Sequence, residues 1–194
     1  MPLTSTFSAA SSKIELGMRA GNCPDRLVHA VRAEVRRGLD WQQTADCVAA
    51  MLRDNLPHPA DILPADLRRG DPACYQSHLL YAEPDGSFSI MAMVWLPGQQ
   101  TAIHDHVAWC VTGVLQGREH EEIFALADDG SALRVIARNV NSAGEVCGFA
   151  PPGDIHRVQN TGDSVALSMH VYGADISRLS TSIRREYTLP IRPS

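Results

Sequence analysis

The segment Gly98-Gln99-Gln100-Thr101-Ala102-Ile103-His104-Asp105-His106 ends in two histidines two positions apart, a spacing that on a β-strand turns both rings to the same face of the sheet. Two imidazoles so placed can reach one metal ion, and Asp105 between them points the other way. A third candidate, His156, follows fifty residues later in Pro151-Pro152-Gly153-Asp154-Ile155-His156-Arg157-Val158-Gln159-Asn160, which reads as a turn entering a short strand. Near the end, Ser168, His170 and Tyr172 alternate with period two and so share a face. A tight hairpin at Thr161 to Asp163 would set His170 opposite His156 and bring this polar row beside the metal.

Other reactive side chains read more simply. His120 with Glu119, Glu121 and Glu122 offers donors for a second metal, but a charged cluster after a turn is expected to be a solvated strand end. His29 and His58 read as surface residues, and Trp95 and Trp109 as core or pocket wall. The five cysteines are odd in number and include no CxxC pair, which argues against a disulfide framework or a zinc ribbon. Cys23, Cys47, Cys74 and Cys147 are expected to be buried thiols.

The elements that position these residues follow from periodicity. Leu27, Val28, Val31, Val35 and Leu39 recur at spacings of three and four and predict a helix from Pro24 to about Gly38. A second helix begins at Asp40 or Trp41, carries Ala45, Val48, Ala49 and Leu52 on one face, and ends before Pro57. Asn55 to Pro72 holds four prolines and reads as a connection, with one helical turn around Ala65 to Arg68. Beyond Cys74 the period changes to short apolar or alternating runs: Tyr75–Ala82, Ser87–Leu96, Thr101–His106, Ala108–Gln116, Glu119–Leu126, Leu133–Asn139, Glu145–Phe149, His156–Gln159 and Ser164–Tyr172. Turn signals such as Pro84-Asp85-Gly86, Asp128-Asp129-Gly130 and Thr161-Gly162-Asp163 separate them, the pattern of an all-β sandwich or barrel. The expected organisation is a helical segment over residues 1–72 packed on a barrel and not independent of it, the barrel itself over 73–176, and a polar, irregular tail over 177–194.

Composition limits the functions available. An apolar fraction of 44% and a charged fraction of 20% supply material for a core, in a length suited to one domain. Lysine and arginine number 17 against 22 acidic residues, a net charge of −5, which disfavours binding to nucleic acid or an anionic membrane. The longest uncharged apolar run, Ile90 to Pro97, is far shorter than the roughly 20 residues of a membrane helix. Met1 to Ser12 has neither a basic segment nor an apolar stretch of the secretory kind; it reads as a frayed end, and the chain as cytoplasmic.

Two motifs in order resemble those of the cupin superfamily. The first, a glycine, five residues, HxH and a later glycine, is met by Gly98, His104, His106 and Gly117; the second, PxGxxHxxxN, by Pro151, Gly153, His156 and Asn160. The glycine that precedes the second motif in the family is not matched in register: Gly144 lies one residue too far upstream. Where the first motif has an acidic ligand, this sequence has Cys110. The stretch from Tyr75 to about Gly173 is similar to the thiol dioxygenases of the cysteine dioxygenase type, through His104-Asp105-His106, Leu115-Gln116-Gly117 and Ser168-Met169-His170-Val171-Tyr172.

That resemblance implies a cupin-type jelly roll with a small N-terminal helical layer. It implies one Fe(II) per chain at His104, His106 and His156, and oxygenation of a small carboxylate-bearing thiol by O2 to the sulfinic acid. A site of three neutral imidazoles leaves the ion its full charge and favours an anionic ligand such as a thiolate. Ser168, His170 and Tyr172 correspond to the family's outer-sphere relay. Cys110 is placed to form a thioether with Tyr172, as in the mammalian members. Tyr75, Ser77 and Cys110 correspond to substrate-pocket positions. In the family the position of Ser77 carries an arginine or glutamine that holds the substrate carboxylate. Gln76, His78 or a tail arginine (Arg178, Arg184 or Arg185) would then take that part. Cysteine, 3-mercaptopropionate, mercaptosuccinate and cysteamine all remain as substrates, and the oligomeric state stays open. Two alternatives stand beside this reading: another metal-dependent cupin enzyme, an isomerase or a dioxygenase not acting on thiols, and a cupin that binds a small ligand without turnover.

Overall fold

The computed structural model describes residues 22–192, and the expected frayed start lies outside the described residues. Helix α1 (Asp25–Val35) buries Leu27, Val28 and Val31. Helix α2 (Trp41–Arg53) starts where the Asp40 carboxylate accepts the backbone N–H of Gln43, satisfying one donor that a helix start leaves open, and buries Ala45, Val48, Ala49 and Leu52. The proline-rich connection contains α3 (Pro59–Ile62), whose first residue has its φ fixed by the ring, and a 3-10 turn at Leu67–Arg69 close to the expected one.

Eleven strands follow among the described residues: β1 (Gln76–Ala82), β2 (Ser89–Trp95), β3 (Ile103–His106), β4 (Cys110–Gln116), β5 (Arg118–Leu126), β6 (Leu133–Ser142), β7 (Val146–Phe149), β8 (His156–Gln159), β9 (Ala166–Tyr172), β10 (Ile183–Tyr187) and β11 (Ile191–Arg192). A short helix, α4 (Ile176–Leu179), separates β9 from β10. The strands form two sheets, β1-β2-β9-β4-β7 and β10-β3-β8-β5-β6-β11. This is the all-β core that the turn spacing predicts.

Helix α2 packs on β7 and β4 of the five-stranded sheet, and this covering explains why β2 and β9 are apolar on one face and functional on the other. Ile90, Ala92 and Val94 of β2 and Leu167, Met169 and Val171 of β9 join Val31, Val48 and Leu52 in one cluster beneath the helices. Their alternates, among them Met93, Trp95, His170 and Tyr172, line the space between the sheets. Replacing a fully buried leucine such as Leu52 with alanine at such an interface costs about 2–5 kcal/mol.

Two expectations need correction. The tail is not irregular: β10 pairs antiparallel with β3, Ile183 opposite His106 and Glu186 opposite His104, and β11 pairs parallel with β6. Arg184, Arg185 and Glu186 hide the strand in the sequence because they occupy an exposed sheet edge, where charge is ordinary. Nor do β8 and β9 form a hairpin; they belong to different sheets. The cause is Asn160, fully buried between them. Its Nδ2 donates to Trp95 O (3.0 Å) and Ser164 O (2.9 Å), and its Oδ1 accepts from Gly162 N (2.9 Å). The carboxamide thereby ties the turn to the end of β2 and carries the chain from one sheet to the other. Where the chain passes from β4 in one sheet to β5 in the other, Gly117 has φ +74°, and a Cβ there would sit 3.0 Å from both Ala166 Cα and Val165 O, so glycine is required.

Candidate active site

His104 and His106 lie on β3, and His156 on β8 is the register partner of His104. Ring centroids of the three are 4.7–4.9 Å apart, and one ligand atom from each lies within 4.8 Å of the others. This is the one group of three or more such residues able to hold a metal ion among the described residues. In each ring Nδ1 faces a group that can only accept: Ala102 O at 3.0 Å for His104, Asp154 Oδ2 at 3.0 Å for His106, and Glu121 Oε1 at 2.7 Å for His156. A neutral imidazole has one N–H, so the proton sits on Nδ1 and the Nε2 lone pairs are left for an ion. Burial, then the neighbouring imidazoles of His156 and His106, holds His104 well below the usual histidine range. Burial also lowers His106, against the opposing pull of Asp154. All three rings are buried. The donor set fits a borderline divalent transition metal.

On the opposite sheet Ser168, His170 and Tyr172 do share the inner face of β9. Ser168 Oγ lies 2.9 Å from His170 Nε2, and Tyr172 Oη 3.3 Å from His170 Nδ1. The row therefore faces the three histidines across the cavity instead of following from a β8–β9 hairpin. Trp95 Nε1 donates to Ser168 Oγ at 3.1 Å, and Trp109 joins the core beneath the helices. Cys110 on β4 is the register partner of Tyr172 on β9, and the two side chains share one buried cluster. Burial pushes the Cys110 thiol well above its ordinary value, so it stays protonated.

Of the three expected pocket residues, Tyr75 and Ser77 line the cavity and Cys110 does not, its side chain lying behind the wall in the cluster with Met91 and Ile176; Gln76 and His78 do not line it either. No arginine or lysine lines it among the described residues. The tail arginines are engaged elsewhere: Arg178 with Asp175 (3.0 Å), Arg184 with Asp105 (3.4 Å), and Arg185 over the Tyr187 ring. Asp105 does point away from the centre, where it also accepts from Tyr187 Oη at 2.9 Å. Sequence reasoning missed Thr181, Ser182 and Ile183, which line the cavity from the tail, and Phe149, 4.9–5.0 Å from the His106 and His156 rings.

Glu119 and Glu121 are not a solvated strand end. They are 3% and 5% exposed, on the inner face of β5, while His120 and Glu122 turn outward toward solvent. Period two was the available signal, masked by the run of charges. Burial presses the Glu121 carboxyl upward, but hydrogen bonds from His156, Asn139 and Asn141 hold it below the usual range. Cys23, Cys47, Cys74 and Cys147 are half-buried, short of the full burial expected. His29 and His58 are exposed as expected, His58 accepting the Ala60 N–H at the start of α3.

Two facing sheets around a buried three-imidazole cluster define a cupin with a place for a single metal ion. A family model described as Cysteine dioxygenase type I matches residues 68–183, more than half of the chain, and the chain belongs to that family. It is 27% identical over 110 residues to cysteine dioxygenase type 1 of Danio rerio (55% of each chain), and 30% identical over 96 residues to that of Homo sapiens (48% of each). The chain thus spans about half the length of the curated relatives it matches. Similar solved structures include a cupin 2 conserved barrel domain protein from Salinispora arenicola CNS-205 (23% identity, TM-score 0.40, 53% of this chain and 78% of that one). Another is an uncharacterized conserved protein with a double-stranded β-helix domain from Klebsiella pneumoniae subsp. pneumoniae MGH 78578 (16% identity, TM-score 0.45, 58% and 87%).

Proposed function

We propose that this protein is a cytoplasmic, mononuclear iron thiol dioxygenase that adds both atoms of O2 to the sulfur of a small carboxylate-bearing thiol, RSH + O2 giving RSO2H. The observation that carries the reading is the pairing of three converging imidazoles with a hydroxyl–imidazole–phenol row across one cavity. His104, His106 and His156 would hold one Fe(II). When bound, it supplies redox-active coordination positions for the thiolate and O2.

The chain's own contribution is positional and electrostatic. Three neutral ligands leave the negative charge of the site to the substrate, which selects a thiolate over a neutral alcohol. Tyr172, oriented by His170, is the hydrogen-bond donor at the cavity wall. Neutral hydroxyls of Tyr75, Ser77, Thr101, Thr181 and Ser182 line the cavity in which the substrate carboxylate would sit, and Phe149 and Ile183 add apolar wall. The pairing of Cys110 with Tyr172 supports a thioether between Sγ and the phenol ring, formed with transfer of two hydrogens to O2. Peptide mass analysis of active protein showing only free Cys110 and Tyr172 would exclude that bond.

The test is oxygen uptake by Fe(II)-reconstituted protein with cysteine, 3-mercaptopropionate, mercaptosuccinate and cysteamine, with mass detection of products. A sulfinate from one thiol is the expected result. No uptake from any of them, with one iron bound per chain, would favour a different cupin enzyme or a ligand-binding cupin.

A further inference from the structure

The hydroxyls around the cavity are not equivalent. Thr101 and Thr181 each accept a backbone N–H, from Val158 and Ile183 respectively, both at 3.1 Å. Thr181 is exposed, so its own hydrogen is open to water. Thr101 is buried, 7% exposed, and lines the cavity beside His104, His156 and Val158. We propose that Thr101 is the residue that positions the substrate carboxylate, donating its hydroxyl hydrogen to a carboxylate oxygen. The proposal rests on the reading of the substrate as a carboxylate-bearing thiol held at His104, His106 and His156.

The argument is a count of what the hydroxyl has left to give. A threonine oxygen carries one hydrogen and two lone pairs. One lone pair takes Val158 N–H, and Thr101 N–H returns a bond to Val158 O at 2.9 Å, so residue 101 is tied to β8 at both its backbone and its side chain. The side chain does here what a ladder carbonyl does elsewhere, because the chain enters β3 only at Ile103. That bond fixes the oxygen and leaves the hydrogen unused, with no acceptor for it among the described residues. A buried O–H without an acceptor is unfavourable until some group from outside the chain accepts it.

A carboxylate is such a group, since it only accepts. No arginine or lysine lines the cavity among the described residues, so a carboxylate there is met by neutral donors, and an O–H bonded to an anion is shorter and about twice as strong as one bonded to a neutral oxygen. The same short segment also serves the metal site. Ala102 O accepts Nδ1–H of His104 at 3.0 Å, and Val158 lies two residues after His156 on β8. Thr101 is therefore fixed relative to two of the three converging rings, and a thiol spanning the two points is held in one orientation.

The experiment is anaerobic calorimetric titration of the Zn(II)-loaded full chain with 3-mercaptopropionate and with 1-propanethiol, which offers the sulfur and the carbon chain without the carboxylate. The unmodified protein is expected to bind the acid about 10- to 100-fold more tightly. Equal affinities overturn the proposal without any variant having to fold. Thr101→Val keeps the shape without the hydroxyl; it is expected to lose the preference while propanethiol binding and zinc content stay unchanged, and Thr101→Ser is expected to restore it. A purely structural role weakens both thiols and the metal together in Thr101→Val, and that pattern overturns the proposal, as does a preference that survives in this variant. Oxygen uptake by the iron-loaded chain keeps the two readings apart. Sulfinate formation with the preference intact in Thr101→Val would remove Thr101 and leave the dioxygenase reading standing; a preference lost in Thr101→Val, in a protein that oxygenates no thiol, would do the reverse.

Discussion

Four buried histidines face one cavity, yet the two sheets treat them differently. On the six-stranded sheet, His104, His106 and His156 each give Nδ1 to a group that can only accept, so one tautomer is enforced and three Nε2 atoms are committed to a shared point. On the five-stranded sheet, His170 sits between two hydroxyls, each able to donate or accept. Its orientation is fixed but its proton is not. A carboxylate or carbonyl partner makes an imidazole a ligand, and a pair of hydroxyls makes one a carrier of hydrogen-bond direction.

Deleting one ring from each sheet separates the two roles most directly. His104→Ala is expected to abolish stoichiometric metal binding and all oxygen uptake, whereas His170→Ala keeps its metal while losing most of its activity. Metal analysis after dialysis decides; equal metal loss in both would erase the distinction. Next in size is Tyr172→Phe, which removes the donor and leaves both sheets intact. It is expected to lower oxygen-uptake kcat about 100-fold or more at unchanged metal content, and full activity would remove Tyr172 from the chemistry.

The same contrast marks what the sequence discloses. His104 and His106 are legible as a pair because strand geometry alone puts alternate residues on one face, and β9 is legible for the same reason. What holds the rings is less visible. Asp154 lies two residues before His156 but serves His106, 48 positions away. Glu121 serves His156 from 35 positions away. Partners that meet only through tertiary pairing leave no periodic trace, and in Glu119-His120-Glu121-Glu122 the run of charges resembles a solvated edge until burial sorts the alternate residues. The crossing at Asn160 is hidden likewise, since a Thr-Gly-Asp turn looks the same whether it returns within a sheet or changes sheets. The tail strand β10 was obscured by the charges an edge strand tolerates.

Within the six-stranded sheet, Glu121 and Glu119 allow a finer test, because they are two residues apart on one buried face and only Glu121 is bonded to a ligand histidine. Glu121→Gln weakens the acceptor behind His156 and is expected to reduce metal affinity about 10- to 100-fold, measured by competition with a chelator. Glu119→Gln is expected to leave that affinity unchanged. A shared loss would mean that the two carboxyls act as one cluster.

The smallest effect is on stability, and its sign separates the same two carboxyls. Burial raises the Glu119 carboxyl from its ordinary 4.5 to about 7, so below 4.5 both the folded and the unfolded chain hold it protonated and Glu119→Gln gains nothing. As pH rises through the folded value, the native protein must either keep a proton that the unfolded chain has released or bury a charge, and its stability falls relative to the variant. Above about pH 7 the variant is expected to be more stable by about 3 kcal/mol, a gap that opens between 4.5 and 7 and then stays level. Glu121, held below its ordinary value by His156, Asn139 and Asn141 despite burial, gives the opposite sign: its ionised form stabilises the fold, and Glu121→Gln is expected to lose stability at neutral pH and recover it in acid. Thermal melts of both variants from about pH 4 to 9 read the two signs directly. Parallel curves would show that these carboxyls, neighbours on one face of β5, share an environment although only Glu121 is bonded to a ligand histidine.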